Sequence, residues 1–450
     1  KRHCGLALPT GTGKSLCAYL LAKTLGLRTV ILTSRIGLAH QYRDTFDSDP
    51  DLAELHGWRN YPSKAEYGAA LEKAQASRIV VTNYAYYLHA EAYGKPLNAQ
   101  LIICDEAAES FKELGNFLSV SLSRHQLEDW LRHRCWPANP TDDPDDWADW
   151  AMSSAIPEMT DALASRNWSE DEREKMNAIV GGLKRLTSRK GLWVGTGGDW
   201  VARFAKVWPG EQQDELLSRH AEKVVWLSAT LRPKGLDLLG VQPTDRAFWE
   251  APRHPFPWEI RPIYWIPTIT ATETRSTQID WNYWCARLDQ LVDRHPKELG
   301  IIHTVSYNRA HLYLTNSDLR GKNVLVGHGQ DSKQTLAAVD DWATGPKPRV
   351  LVSPSLMIGW DLGQASWQAI GKLPWPDGRD VLLRARAESD PEYTPFEVMQ
   401  VLVQAAGRIV RGPTKADAGV TYVIDDSIKW FNAKYKHFAP GWWKIETKER

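Results

Sequence analysis

The chain has 450 residues, which at about 150 per domain predicts roughly three domains. Hydrophobic residues make up 43% and charged residues 24%, a globular balance that excludes wholesale disorder. The 55 Lys and Arg cancel the 55 Asp and Glu, so nothing announces a strongly basic nucleic-acid binder, although a neutral total can still hide a local basic groove.

No apolar run reaches the ~18 residues of a membrane span, and no signal peptide is visible, so a cytoplasmic setting is expected. The opening Lys1-Arg2-His3-Cys4, without Met, reads as a truncation or a fragment. Five Cys at 4, 17, 104, 135 and 285 contain no C-x-x-C pair and predict free thiols rather than a disulfide framework or a Cys-rich zinc site. Residues 4–8 read as a buried strand, 15–25 as a helix closed by Gly26, 29–33 as a strand and 37–46 as a helix. Further strands are expected at 78–82 and 101–104. Continuous Val/Ile/Leu runs separated by helices are the pattern of a parallel sheet covered on both faces.

Between about 110 and 220 the pattern changes. Eight Trp fall here, and five Asp crowd the ten residues from Thr141 to Trp150. Ser169 and Glu172 form a capping box, and Met176, Ile179, Val180, Leu183 and Leu186 follow at helical spacing. A mostly helical insertion is expected over 111–220, with Asp143-Pro-Asp-Asp146 as a solvated loop. A strand at 223–227 resumes the first domain, which then comprises 1–110 and 221–250. Pro252, Pro255, Pro257, Pro262 and Pro267 suggest an inter-domain connection. Strands at 300–304, 323–326, 350–353, 368–371 and 420–424, with a helix over 395–410, predict a second α/β domain within 251–450.

Leu8-Pro-Thr-Gly-Thr-Gly-Lys-Ser15 lies between a strand and a helix, the context of a phosphate-binding loop. Thr10, Gly11, Thr12 and Gly13 would form a tight turn with inward amides, Lys14 would reach the β- and γ-phosphates of ATP, and Ser15 would hold Mg²⁺. Leu8 stands where the general pattern has Gly. Leu101-Ile-Ile-Cys-Asp105-Glu106 ends a strand in two acids: Asp105 as the second metal residue and Glu106 to polarise the attacking water. In Gln404-Ala-Ala-Gly-Arg408-Ile-Val-Arg411, offsets of 4 and 3 are expected to put Gln404, Arg408 and Arg411 on one helical face. Two Arg side by side suit a phosphate.

Taken in order, Leu8–Ser15, Asp105-Glu-Ala-Ala108, Ser228-Ala-Thr230 and Gln404–Arg411 resemble superfamily 2 helicases. Pro255-Phe256, Thr304-Val-Ser306-Tyr307, Ser353-Pro-Ser-Leu-Met-Ile-Gly359-Trp-Asp361-Leu362 and Lys372-Leu-Pro-Trp-Pro376 are similar to the XPD/DinG branch. The resemblance implies two RecA-like domains with ATP in the cleft between them, and a motor on single-stranded DNA, 5′ to 3′, in replication or repair. It implies strand contacts from Thr33, Ser34, Thr82 and Asn83 in the first domain and Ser306 and Ser353 in the second, where helix or strand capping is the competing reading. Ser228 and Thr230 would couple the two sites, Gly359 and Asp361 would link the second domain to ATP, and the insertion sits where XPD carries its arch. Tyr84, Tyr86, Tyr87 and Trp360 are candidates for base stacking or for burial.

Two departures stand out. The family's four cluster cysteines are missing: only Cys17 and Cys104 lie between Ser15 and Asp105, so no iron–sulfur cluster is expected. Position 108 is Ala where the family usually has His. Two other classes remain open, an RNA-directed ATPase on the same fold and a nucleotide-gated binding module with a weakened motor.

Overall fold

The run Thr29-Val-Ile-Leu-Thr33 is buried along its whole length, as a strand covered on both faces must be. The computed structural model, which describes residues 1–93, 96–271, 276–355, 364–410 and 412–448, contains two parallel sheets of this kind. Its chain divides into two units: Lys1–Leu6, Ser15–Trp249 and Asp377–Tyr393 in one, and Ala7–Lys14, Glu250–Pro376 and Thr394–Arg450 in the other.

The first sheet is built from β1 (His3–Ala7), β2 (Thr29–Thr33), β3 (Leu52–Glu54), β4 (Ile79–Asn83) and β5 (Leu101–Asp105). The antiparallel strands β6 (Val120–Ser123), β7 (Trp193–Gly197) and β8 (Val201–Lys206) follow as a separate sheet, and β9 (Lys223–Ser228) and β10 (Arg246–Glu250) complete the first. Its order is β10-β1-β9-β5-β2-β4-β3. Register fixes what the strand ends share. Thr33 lies opposite Asn83, and Asp105 opposite Leu227, so Asp105, Glu106 and Ser228 fall at one edge.

The residues 111–220 combine helices with the β6-β8-β7 sheet. Trp136, Trp147, Met176, Val180, Leu183 and Phe204 share one core. The Ser169–Glu172 capping box is present and starts the helix Glu170–Thr187. The expected acidic loop is instead a helix, Pro144–Trp150, capped by the Asp143 side chain on the Asp145 amide. Asp at the cap and Pro in the first turn favour that start, since the Asp143 carboxylate accepts a first-turn amide and Pro144 has no N–H to satisfy.

The second sheet has β11 (Ile263–Ile269), β12 (Leu299–His303), β13 (Leu325–Gly327), β14 (Arg349–Ser353), β15 (Trp367–Ile370), β16 (Val420–Asp425) and β17 (Glu446–Thr447), in the order β13-β14-β12-β15-β16-β11-β17. Every neighbouring pair is parallel. Part of the Pro-rich connection is therefore a strand. The pairing of β11 with β16 shifts between Trp265 and Ile269, and Pro267 sits in that irregularity, where its missing N–H costs no ladder bond.

Candidate functional site

The Pro9–Gly13 turn joins β1 to the helix Lys14–Leu25. Gly11 and Gly13 take φ of +82° and +74°, the left-handed region that glycine occupies without a Cβ penalty. A Cβ on Gly11 would also meet the Phe256 ring at 2.3 Å. Thr12 donates its hydroxyl to the Pro9 carbonyl at 2.8 Å, which folds the turn on itself. Successive amides of such a turn, continued by a helix N-terminus, form an anion cradle.

Tyr42 from the helix Ile36–Thr45 is buried and donates to Asp105 Oδ2 at 2.8 Å. Ser15 hydrogen-bonds to the same phenol. Burial, and then the Asp105 charge, push that phenol well above its ordinary range, so it remains a donor. The hydroxyl of Ser15 and the carboxylate of Asp105 thus converge, and both are oxygen donors of the kind Mg²⁺ takes. Glu106 adopts a left-handed backbone, φ +54° and ψ +47°, a conformation that costs a non-glycine residue roughly 1–3 kcal/mol and concentrates at functional sites. Its Oε2 accepts from Ser228 Oγ at 3.5 Å, and Ser228 Oγ in turn accepts the Thr230 amide at 3.4 Å.

In the second unit the helix Tyr393–Ala406 carries Gln404 but ends before Arg408. The expected single helical face does not form: Gly407 follows the last helical residue, and Arg408 turns back with its amide on Ala405 O at 3.1 Å. A network unannounced by the sequence reaches this helix end. His303 at the end of β12 lies 3.1 Å from Gln368 Oε1, and Gln368 donates to the Ala405 carbonyl at 2.8 Å. Gly359, Trp360, Asp361 and Arg411 lie outside the described residues.

The candidate strand contacts share sheet edges. Thr33 pairs with Asn83 across β2 and β4, and His303 with Ser353 across β12 and β14. Their side chains are already engaged or enclosed. Asn83 caps the helix Tyr84–Ala92 and Ser306 the helix Tyr307–Asn316, while Thr33, Thr82 and Ser353 expose no surface. Ser34 is half-buried. Tyr84 and Tyr87 belong to the core, Tyr84 donating to the Asp105 carbonyl at 3.2 Å and Tyr87 to the Leu217 carbonyl at 3.1 Å, so neither ring is a stacking surface. Tyr86 remains half-buried.

Residues 1–124 match the family of the Type III restriction enzyme, res subunit. No curated protein matches the chain. Among solved structures, an XPD helicase aligns with a TM-score of 0.65 at 12% identity, covering 99% of this chain and 96% of its own. An apo XPD gives 0.63 at 13% identity, with 100% and 97% covered. Xpd4 of S. tokodaii gives 0.62 at 14% identity, with 99% and 96% covered. The chain has the fold of these XPD helicases. Its two seven-stranded sheets resemble RecA-like helicase domains. Of the two cysteines between Ser15 and Asp105, Cys17 is exposed on a helix and Cys104 is buried within β5.

Proposed function

We propose that this chain is a superfamily 2 helicase of the XPD/DinG type that hydrolyses ATP and moves 5′ to 3′ along single-stranded DNA. The observation that carries the reading is the convergence of Ser15, Tyr42, Asp105, Glu106 and Ser228, with a turn of two left-handed glycines directly before Ser15 in the chain.

In this reading the amides of Thr10–Gly13 and the Lys14 ammonium bind the phosphates. Ser15 and Asp105 would hold Mg²⁺, which would supply positive charge to the phosphates. Tyr42 fixes the orientation of the Asp105 carboxylate. Glu106 orients and polarises water for attack on the γ-phosphorus. Gln404, Arg408 and Arg411 bring donors and positive charge to the leaving phosphoryl group, the usual largest contribution in such chemistry. Ser228 and Thr230, hydrogen-bonded in series to Glu106, relay between hydrolysis and the strand-binding edge. In the first unit Ser34 is the half-buried hydroxyl and amides beside Thr33, Thr82 and Asn83 contribute backbone contacts; in the second, amides beside Ser306 and Ser353 do so, positioning a strand without reading its sequence.

Directional unwinding tests the finer part of the reading. Partial duplexes with a 5′ or a 3′ single-stranded tail are incubated with ATP and Mg²⁺. Unwinding of the 5′-tailed substrate alone is expected; unwinding only from a 3′ tail removes the XPD/DinG assignment while leaving the ATPase.

A further inference from the structure

At the edge of the first sheet, β3 comprises Leu52-Ala-Glu54, and its pairing continues through the Leu55 amide to Val81 O at 3.0 Å. Glu54 and His56, two residues apart along extended chain, therefore point to the same side. From the helix Ile36–Thr45, His40 and Arg43, three apart and about half exposed, both reach the Glu54 carboxylate. His56 Nε2 lies 2.5 Å from Glu54 Oε1, and His40 Nδ1 contacts the same oxygen. The two imidazoles meet at 86° with centroids 5.4 Å apart, so their nitrogens approach one carboxylate oxygen from different directions.

We propose that His40, Glu54 and His56 form a divalent transition-metal site, best suited to Zn²⁺. Two imidazoles and one carboxylate are a borderline donor set that zinc accepts, with a fourth position left for water. The three ligand atoms lie within 4.8 Å of one another, and tetrahedral zinc with bonds of about 2.1 Å holds its ligand atoms about 3.4 Å apart. Only small side-chain rotations separate the two arrangements. Arg43 Nη1 takes the other carboxylate oxygen at 2.9 Å, which orients Glu54 and leaves Oε1 to the ion, a supporting contact of the kind that tunes metal ligands. Side-chain exposure supplies the entry path: His40 is 45% exposed, whereas Glu54 is 9% and His56 3%.

The bound ion would tie the sheet edge to the helix and fix the chain that follows, Gly57–Tyr61. Trp58 in that segment donates to Glu174 at 2.9 Å, and Arg59 bridges Asp171 and Glu174 on the insertion's helix Glu170–Thr187. The proposal does not depend on the helicase reading, since none of the three ligands is a nucleotide or strand residue.

The test uses the full chain, stripped with chelator and titrated with Co²⁺ and Zn²⁺ alone. One ion per chain is expected, with the visible absorption of tetrahedral Co²⁺ displaced by Zn²⁺ and an upward shift in Tm on loading. His40→Ala, half exposed and expected to fold, should weaken binding at least tenfold and abolish the Tm shift, and Glu54→Gln should do the same. No stoichiometric ion in the wild-type chain, or equal binding by wild type and both variants, overturns the proposal. ATP turnover without added transition metal is measured in parallel, and its loss or retention reports separately on the helicase reading.

Discussion

Tyr42 donates to Asp105 at 2.8 Å, and both side chains are buried. A buried carboxylate left without that donor loses a charge-assisted bond worth about 1.5–3 kcal/mol. Tyr42→Phe, which keeps the ring and removes the hydroxyl, should lower stability by about that amount and raise the Mg²⁺ concentration needed for half-maximal ATP hydrolysis several-fold. Denaturant unfolding and a Mg²⁺ titration of turnover read the two effects separately.

Gly11 combines a φ of +82° with the Phe256 ring 2.3 Å from where a Cβ would sit. Gly11→Ala is therefore expected to abolish nucleotide binding in a fluorescent-nucleotide titration. Adding Phe256→Ala relieves the clash but not the dihedral strain, so the double variant should recover only part of the affinity. Full recovery would mean that the turn's left-handed conformation is dispensable.

Turnover should disappear in Lys14→Ala and in Arg408→Ala, with Lys14→Ala also weakening nucleotide binding. Near-wild-type hydrolysis by either variant would remove that residue from its assigned role.

Acid should weaken the second unit through His254. Burial, reinforced by the Arg261 charge, lowers its pKa to about 4, and its Nδ1 accepts the Phe256 amide at 3.0 Å. The unfolded imidazole protonates near 6.5, so the unfolded state takes up the proton first. The stability contribution is complete above about pH 6.5 and is lost as pH falls toward 4. Unfolding curves between these limits should slope less steeply for His254→Gln than for wild type; identical slopes would assign the acid sensitivity elsewhere.

Trp147 is 1% exposed and packs against Trp136, Trp150 and Phe204. Trp147→Ala should cost about 3–5 kcal/mol, as large-to-small core changes do. A loss of less than about 1 kcal/mol by thermal or chemical unfolding would contradict this packing account of the insertion.

The sequence is most legible where one local signal settles the structure. Thr29–Thr33 is an apolar run with strand-forming residues throughout, and it forms that strand. Gly26 ends its helix with a φ of +66°, and Ser169 with Glu172 starts another. Local reading fails where a signal is short or ambiguous. β3 has only three residues, Pro267 disguises a strand by occupying its irregular step, and Asp143-Pro144 reads as a loop although it is a good helix start. In 404–411 the spacing suits a helix, yet Gly407 ends it. The Arg408 amide turns back onto the Ala405 carbonyl and leaves the helical ladder. Of the candidate site, Ser15, Asp105 and Glu106 are legible because a strand–turn–helix context and a strand end place them. Tyr42, Gln368 and the His40–Glu54–His56 cluster are not. Their partners come from distant segments that only the sheet registers bring together.

The most direct test of the helicase assignment is steady-state ATP hydrolysis measured without nucleic acid and then with matched single-stranded DNA, single-stranded RNA and duplex DNA. The account predicts low basal turnover that single-stranded DNA stimulates at least tenfold and that Lys14→Ala eliminates. Turnover indifferent to every nucleic acid, or stimulated by RNA alone, would contradict it.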